Sequence, residues 1–333
     1  MRTIVFGRGQ IGSYIANKLG CWSYDKDTID FNDVTALCRL VQDEHPETII
    51  NCAPFHFNEN LMKAACYGAC NYLDLTEDVD SAAKVKEIFG SYYPRKVITQ
   101  CGLAPGVVSI IAADLISEFD EPITVKIRVG ALPLYPNNSM RYFRTWSTEG
   151  LVNEYSKKCQ VLIDKQLRGR FPLTDIENII LDGKEYEAFY TSGGIGSLAT
   201  TYQNIIQNMD YKSIRYPGHA KEIQWLCMSN HASNLVTYLD ETIPSTTQDV
   251  VIIYVSVDGY IEGNLVNKSY FKKIYHDNET SAIRIATGDS VCAIVELLDW
   301  RSMIEGANFI KQEDIPFDDF IETGSGRIFE MWE

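Results

Sequence analysis

The chain has little histidine, five residues in all, and its nine cysteines form no C-x-x-C pair and no zinc-like spacing. H-E-x-x-H is also missing, so no metal is expected. Basic residues are short too: 30 Lys and Arg stand against 45 Asp and Glu, a formal charge of −15. Nucleic acid and anionic membranes both attract basic surfaces, so neither is an expected partner. No apolar run reaches membrane-spanning length, and no internal repeat or low-complexity tract is visible. The first strand is expected from Arg2, which leaves no room for a signal or transit peptide before it. With its thiols read as buried and free, the expected setting is a reducing one, the cytoplasm.

What is present is enough apolar material for two cores. The 333 residues are 45% hydrophobic and 23% charged, ordinary proportions for a globular chain. The sharpest motif comes first. Arg2–Phe6, a short apolar strand, runs into Gly7-Arg8-Gly9-Gln10-Ile11-Gly12 and then a helical pattern of Ile11, Tyr14, Ile15 and Leu19. This G-x-G-x-x-G has the strand-turn-helix context that a dinucleotide cradle requires. Its glycines serve a tight turn, the approach of a pyrophosphate, and helix-on-strand packing. The helix N-terminus then offers amide donors and a positive dipole end to phosphate. A second strand, Cys21–Tyr24, ends at Asp25, where a carboxylate can bind ribose hydroxyls and repel a 2′-phosphate. That argues for NAD. Lys26 and Arg8 argue back, since a guanidinium binds phosphate bidentately, and they leave NADP open.

From residue 1 to about 105, short apolar runs alternate with amphipathic helices at Ile11–Leu19, from Asp33-Val34 to near Glu44, Asn58–Tyr67 and Val79–Phe89. The pattern predicts a doubly wound parallel sheet, with ligands at the carboxyl ends of its strands. Ala53, Pro54 and Phe55 follow one such end. Asp74, Thr76 and Cys101 fall at others. After Pro105 the pattern changes. Strands are expected at Val125–Val129, Tyr142–Trp146, Gln160–Ile163, Ile179–Leu181, Ala188–Tyr190, Ser213–Tyr216 and Val250–Val257, with helices near 148–156, 196–208 and 218–229. This reads as an α+β substrate domain on a mixed sheet, spanning 106–282. A helix at Asp289–Leu298 begins a return of 283–333 to the nucleotide domain.

Several segments carry residues suited to chemistry. Gln100–Gly106 sets Cys101 before a sharp Gly-Pro-Gly turn; the thiol faces a nicotinamide or is simply half-buried. Asp74 ends its strand as a proton acceptor, a ligand for substrate amine or ribose, or an Asx-type cap. Thr191 and Ser192 precede Gly193 and Gly194, a carboxylate receptor or an ordinary cap. In Arg215-Tyr216-Pro217-Gly218-His219, the arginine can clamp a carboxylate and the imidazole can move a proton. Glu149 either sits in a helix first turn beside the cap Ser147 or holds a substrate ammonium.

Taken in order, these segments resemble the saccharopine dehydrogenase-like family, most closely its lysine-dehydrogenase branch. The matching pieces are Gly7–Gly12, Asn51–Pro54, Tyr72–Thr76, Cys101–Gly106, Val129–Pro133, Thr145–Glu154, Glu187–Gly194 and Arg215–His219, with a weaker echo at Thr280–Gly288. The resemblance implies a Rossmann domain that the C-terminal segment rejoins, and dimers formed through the second domain. It implies pyridine-nucleotide oxidation at the carbon–nitrogen bond of an amino acid such as saccharopine, lysine or a polyamine-related carboxylate. The expected roles are His219, Asp74 or Cys101 in proton transfer, and Arg215, Glu149, Thr191, Gly193 and Gly194 around substrate. Gly7–Gly12, Asp25, Ala53–Phe55 and Thr76 are expected around NAD. Two rivals stay open: a biosynthetic imine reductase of the carboxynorspermidine dehydrogenase type, and a dinucleotide sensor without turnover.

Overall fold

The computed structural model describes residues 2–77, 84–228, 234–300 and 308–331. The chain divides into two compact units, Met1–Ile110 with Ala286–Glu330, and Ile111–Ile285 with the last three residues.

In the first unit, β1 (Thr3–Phe6), β2 (Trp22–Tyr24), β3 (Thr48–Asn51), β4 (Asn71–Asp74), β5 (Val97–Ile98) and β14 (Phe309–Ile310) make one sheet. All neighbours are parallel, in the order β2-β1-β3-β4-β5-β14. A strand of four residues buried along its whole length needs cover on both faces, which helices supply. Gln10–Leu19, Val34–Glu44 and Asn58–Tyr67 do so with apolar stripes such as Leu61, Met62, Ala64 and Ala65. The chain leaves β1 for β2 on one side and returns to β3 on the other. Strand order therefore reverses between β1 and β3, the place where such sheets open a crevice.

The second unit holds an eight-stranded mixed sheet. β6 (Glu121–Pro133), β7 (Cys159–Ile163), β8 (Gln166–Arg170), β9 (Glu177–Leu181), β10 (Lys184–Tyr190), β11 (Asn208–Arg215), β12 (Asp249–Ile261) and β13 (Asn264–Tyr275) form it. Its main path runs β13-β12-β6-β11-β10-β9, with β7 and β8 attached through β11. Among the described strands of this sheet, β6 and β11 pair in parallel and the other neighbours are antiparallel. Strand alternation sends Lys212 and Ile214 of β11 to one face, and Ser213 and Arg215 to the other. The long helix Ala282–Trp300 begins on Asp249, whose carboxylate accepts from Ala282 N at 2.6 Å and Ile283 N at 3.2 Å.

Three expectations about local structure are corrected. Tyr142–Trp146 is no strand; it is a loop touching β-structure only through a bridge from Arg144 to Ser245. The helix expected at 196–208 shrinks to Leu198–Thr201, in a stretch where threonine and tyrosine favour other conformations. The helix expected at Asp289–Leu298 extends to Ala282–Trp300. Of Val79–Phe89, Val85–Phe89 is helical, and 79–83 lie outside the described residues. Strands β8, β13 and β14 are not foreseen in the sequence, which reads as irregular beyond the helix at Asp289–Leu298. Among the described residues, no helix is long and apolar enough to cross a membrane.

One face of the second sheet carries a closed charge cluster around two buried cations. Arg128, only 2% exposed, pairs with Glu177 and bonds Asp210 through Nη1 at 2.8 Å and Nη2 at 3.2 Å. Lys212 beside it donates to Glu177 at 3.1 Å and to the Asp175 carbonyl at 2.7 Å. These cations hold the carboxyls of Glu177 and Asp175 below their usual range. Because those folded-state values are depressed, the cluster stabilises above ordinary carboxylate pKa and is lost as pH falls through the lowered ones. Arg128→Ala removes the central cation and is expected to cost about 3 kcal/mol in urea unfolding at neutral pH. A cost near zero would show that the cluster is slack.

Candidate functional site

At the β1/β3 reversal the backbone comes close to itself. Gly7 has φ +99°, and a Cβ there would stand 2.7 Å from the Cys52 carbonyl group. A Cβ on Gly12 would fall 1.9 Å from the Gly7 oxygen. Both positions exclude any side chain. Gly9 differs, because nothing lies within 4 Å of where its Cβ would be. It precedes the helix Gln10–Leu19, which has no side-chain cap and no acidic residue in its first turn. Open space before a helix start whose N-cap residue has no side chain suits a diphosphate.

Asp25 follows β2, and its Oδ2 accepts the Arg8 amide at 3.1 Å. The Arg8 guanidinium turns back to the Ser23 carbonyl, at 3.0 Å from Nε and 2.8 Å from Nη2. The Ala53 amide is fixed by Asn51 Oδ1 at 2.9 Å, while the Asn51 amide group donates to Asn58 and to Tyr72. Pro54 and Phe55 are exposed beyond it.

Asp74 and Cys101 come together in this unit. Asp74 is 1% exposed, and its Oδ1 accepts from Thr76 N at 3.1 Å and Gln100 N at 3.0 Å. Its Oδ2 is sealed from water with no hydrogen bond in ordinary geometry. Burial lifts the carboxyl to about 6, against the pull of the two amides and the nearby Tyr72 phenol. The Cys101 amide bonds the Asp74 carbonyl at 2.8 Å. Burial, with Asp74 beside it, raises the Cys101 thiol well above its usual range, so it stays protonated. It donates to the Ile98 carbonyl at 3.2 Å and receives Gln312 Nε2 at 3.5 Å. Gln312 had no signal in the sequence, since only the fold brings it to Cys101.

In the second unit, Arg215 and His219 share one buried network. The His219 Nδ1 faces the Met140 carbonyl at 3.1 Å, and a carbonyl can only accept, so Nδ1 carries the proton. Its Nε2 therefore accepts from the Tyr155 hydroxyl at 3.0 Å. Tyr155 in turn accepts from Arg215 Nε at 3.3 Å. Burial and the Arg215 charge push the imidazole down to about 3, so it is neutral near pH 7 and its one lone pair is engaged. Glu187 of β10 accepts from Gly218 N at 2.8 Å and Ala220 N at 2.7 Å, which fixes the helix His219–Met228 at its start.

The other candidates are placed differently. Glu149 is exposed in the first turn of the helix Thr148–Ser156, whose cap is Ser147. Thr191 is buried with its hydroxyl 2.8 Å from that of Ser213. Gly194 packs where a Cβ would meet the Tyr211 ring at 2.3 Å, and Gly193 has φ +92°. Packing and turn geometry thus account for both glycines. The sequence reading does not single out Glu154, although it sits beside Leu151 and Tyr155 on the buried stripe of its helix. A glutamate within an apolar i, i+3, i+4 pattern was the available signal.

Residues 102–306 match the saccharopine dehydrogenase C-terminal domain, more than half of the chain. The protein belongs to the saccharopine dehydrogenase-like family. Glu149, Glu154, Thr191, Gly193, Gly194, Arg215 and His219 all lie inside the matched stretch. The fold agrees with the family assignment: saccharopine dehydrogenase (L-Glu forming) from Saccharomyces cerevisiae superposes with a TM-score of 0.76 over 96% of each chain, at 13% identity. Carboxynorspermidine synthase from Vibrio cholerae serotype O1 is 27% identical over 112 residues, 30% of this chain. That match spans 27% of the relative's length.

The two kinds of glycine give a clean test of the cradle. Gly9→Ala has room for its methyl and is expected to keep Tm within a degree or so while weakening NADH binding about tenfold. Gly12→Ala, with no room, is expected to lower both. Unchanged NADH affinity in Gly9→Ala, by titration calorimetry, would remove this loop from the cofactor site.

Proposed function

We propose that this protein is an NAD(P)-dependent oxidoreductase acting on the CH–NH bond of a lysine-related amino acid, in the manner of a lysine 6-dehydrogenase or a saccharopine dehydrogenase. The carrying observation is open space at Gly9 before a helix start in one unit, together with a buried arginine that bonds through Nε and Nη1 in the other. A nicotinamide dinucleotide, when bound, supplies the two-electron acceptor for such a bond. Gly7–Gly12 would hold its diphosphate and Asp25 its adenosine ribose, with NAD preferred over NADP. Ala53, Pro54, Phe55 and Thr76 would line the same strand ends.

The chain's own groups divide the remaining work. An amine must be neutral at the nitrogen before its carbon gives up hydride, so a proton acceptor is needed. Asp74 suits that role, because its carboxyl near 6 is ionised but not inert at neutral pH. The Cys101 thiol remains protonated and can donate a hydrogen bond but not take the proton. His219 is best placed to orient Tyr155 and, through it, Arg215. Arg215 would hold a substrate carboxylate, since a buried guanidinium binds one strongly. Thr191, Gly193 and Gly194 would shape that end of the substrate site, and Glu149 its outer edge.

The biosynthetic direction, reduction of an imine as in carboxynorspermidine formation, is a second reading favoured by the match to the Vibrio protein. Rates measured in both directions at one pH separate the two. A homodimer through the second unit is part of the proposal, supported by the exposed Phe171 and Ile180. So is a reducing cytoplasm, supported by nine unpaired cysteines.

If Asp74 takes the proton, kcat/KM for amine oxidation rises with pH through about 6, where the carboxyl ionises. Asp74→Asn keeps an oxygen for both amides and is expected to abolish that limb and lower kcat about a hundredfold. The raised carboxyl also destabilises the fold as pH climbs from the ordinary aspartate value to 6, so the variant is expected to be as stable as wild type or more at pH 7. A retained limb, with kcat intact, would move the role elsewhere. Arg215→Gln is expected to raise the substrate KM about thirtyfold with NADH affinity unchanged. An unchanged KM would return Arg215 to a structural part.

A further inference from the structure

Glu154 is 7% exposed, and its Oε2 has no hydrogen-bond partner. The facing cation is Arg215, whose Nη2 stands 3.8 Å away, too far for a hydrogen bond. Arg215 bonds elsewhere through Nε to Tyr155 and through Nη1 to the Ile214 carbonyl at 2.9 Å, and lies 5.3 Å from the Tyr142 ring centre. A carboxyl and a guanidinium therefore face each other inside the unit without closing a hydrogen bond, and burial lifts the carboxyl to about 7 against the pull of Arg215. Desolvation of a buried pair is recovered only through good geometry, and Arg128 on the same sheet has such geometry with Asp210. An open pair has another use. It can receive a ligand that brings both charges.

We propose that Glu154 binds the ammonium, and Arg215 the carboxylate, of an α-amino acid head group. An α-amino acid carries its two charges on one carbon, which matches protein charges a few ångströms apart. A distal amine at the far end of a lysine-length chain does not. The assignment names Glu154, rather than the exposed Glu149, as the carboxylate that reads the substrate. It also bears on the chemistry. An ammonium held by Glu154 stays protonated and cannot lose hydride from its carbon, so the reacting nitrogen is on the substrate's side chain. This inference rests on the reading of Arg215 as the carboxylate clamp.

The test uses the full-length protein with saturating NADH, above pH 7 where Glu154 is ionised. Affinities are measured for L-lysine and for 6-aminohexanoate, which keeps the carboxylate and terminal amine but lacks the α-ammonium. Wild type is expected to prefer L-lysine by at least about tenfold. In Glu154→Gln the preference falls to near unity, because L-lysine weakens while 6-aminohexanoate holds. In Arg215→Gln both ligands weaken, with thermal melting used to confirm that each variant is folded. No L-lysine binding, equal affinities in wild type, or an equal loss for both ligands in Glu154→Gln overturns the assignment. If Arg215→Gln weakens neither ligand, it is the clamp reading that fails, whatever Glu154 does.

Discussion

No side chain fits between Gly7 and Gly12, and the rest of the first unit depends on that. The Gly7 carbonyl occupies the space a Cβ at 12 would need, and Gly7 itself presses on the Cys52–Ala53 backbone. This close packing draws the helix Gln10–Leu19 onto β1 at the point where strand order reverses. The chain is thereby held tight on the inside of the turn and left open at Gly9 on the outside. The difference between a packed glycine and an open one is what separates structure from the proposed binding in this loop. The same crevice edge carries Asn51, which ties the Ala53 amide, Asn58 and Tyr72 into one hydrogen-bonded group.

The second unit is organised by how it treats buried cations. Both Arg128 and Arg215 are nearly sealed from water, on opposite faces of one sheet. Arg128 meets two carboxylates in closed geometry and serves the fold. Arg215 meets a phenol, its neighbour's carbonyl and a carboxylate held out of bonding range. Glu187 and His219 support that arrangement from either end, one by fixing the helix start and the other by fixing Tyr155. A neutral imidazole with both nitrogens engaged is a brace for the phenol.

Much of this was legible in the sequence, and the losses have physical causes. The G-x-G-x-x-G turn, the parallel sheet and the helix Asn58–Tyr67 follow from short apolar runs and periodic stripes. Strand β13 was missed because Asn264, Asn267, Lys268, Lys272 and Lys273 make an edge strand read as a polar connection. Aromatic residues favour sheets, so Tyr142–Trp146 reads as a strand, but Tyr142 packs as a core residue in a loop. Asp74 and Cys101 could be named from strand ends. Their raised pKa values could not, since burial is a property of the fold. Glu154 was hidden for the opposite reason, because acidic residues in helices are usually solvated.

The central claim is that the Gly7–Gly12 crevice binds a pyridine nucleotide. Titration of NADH and NADPH into the purified, folded protein by calorimetry tests it most directly. The account predicts saturable binding at one site per chain, with NADH the tighter. Absence of binding by both nucleotides would contradict it.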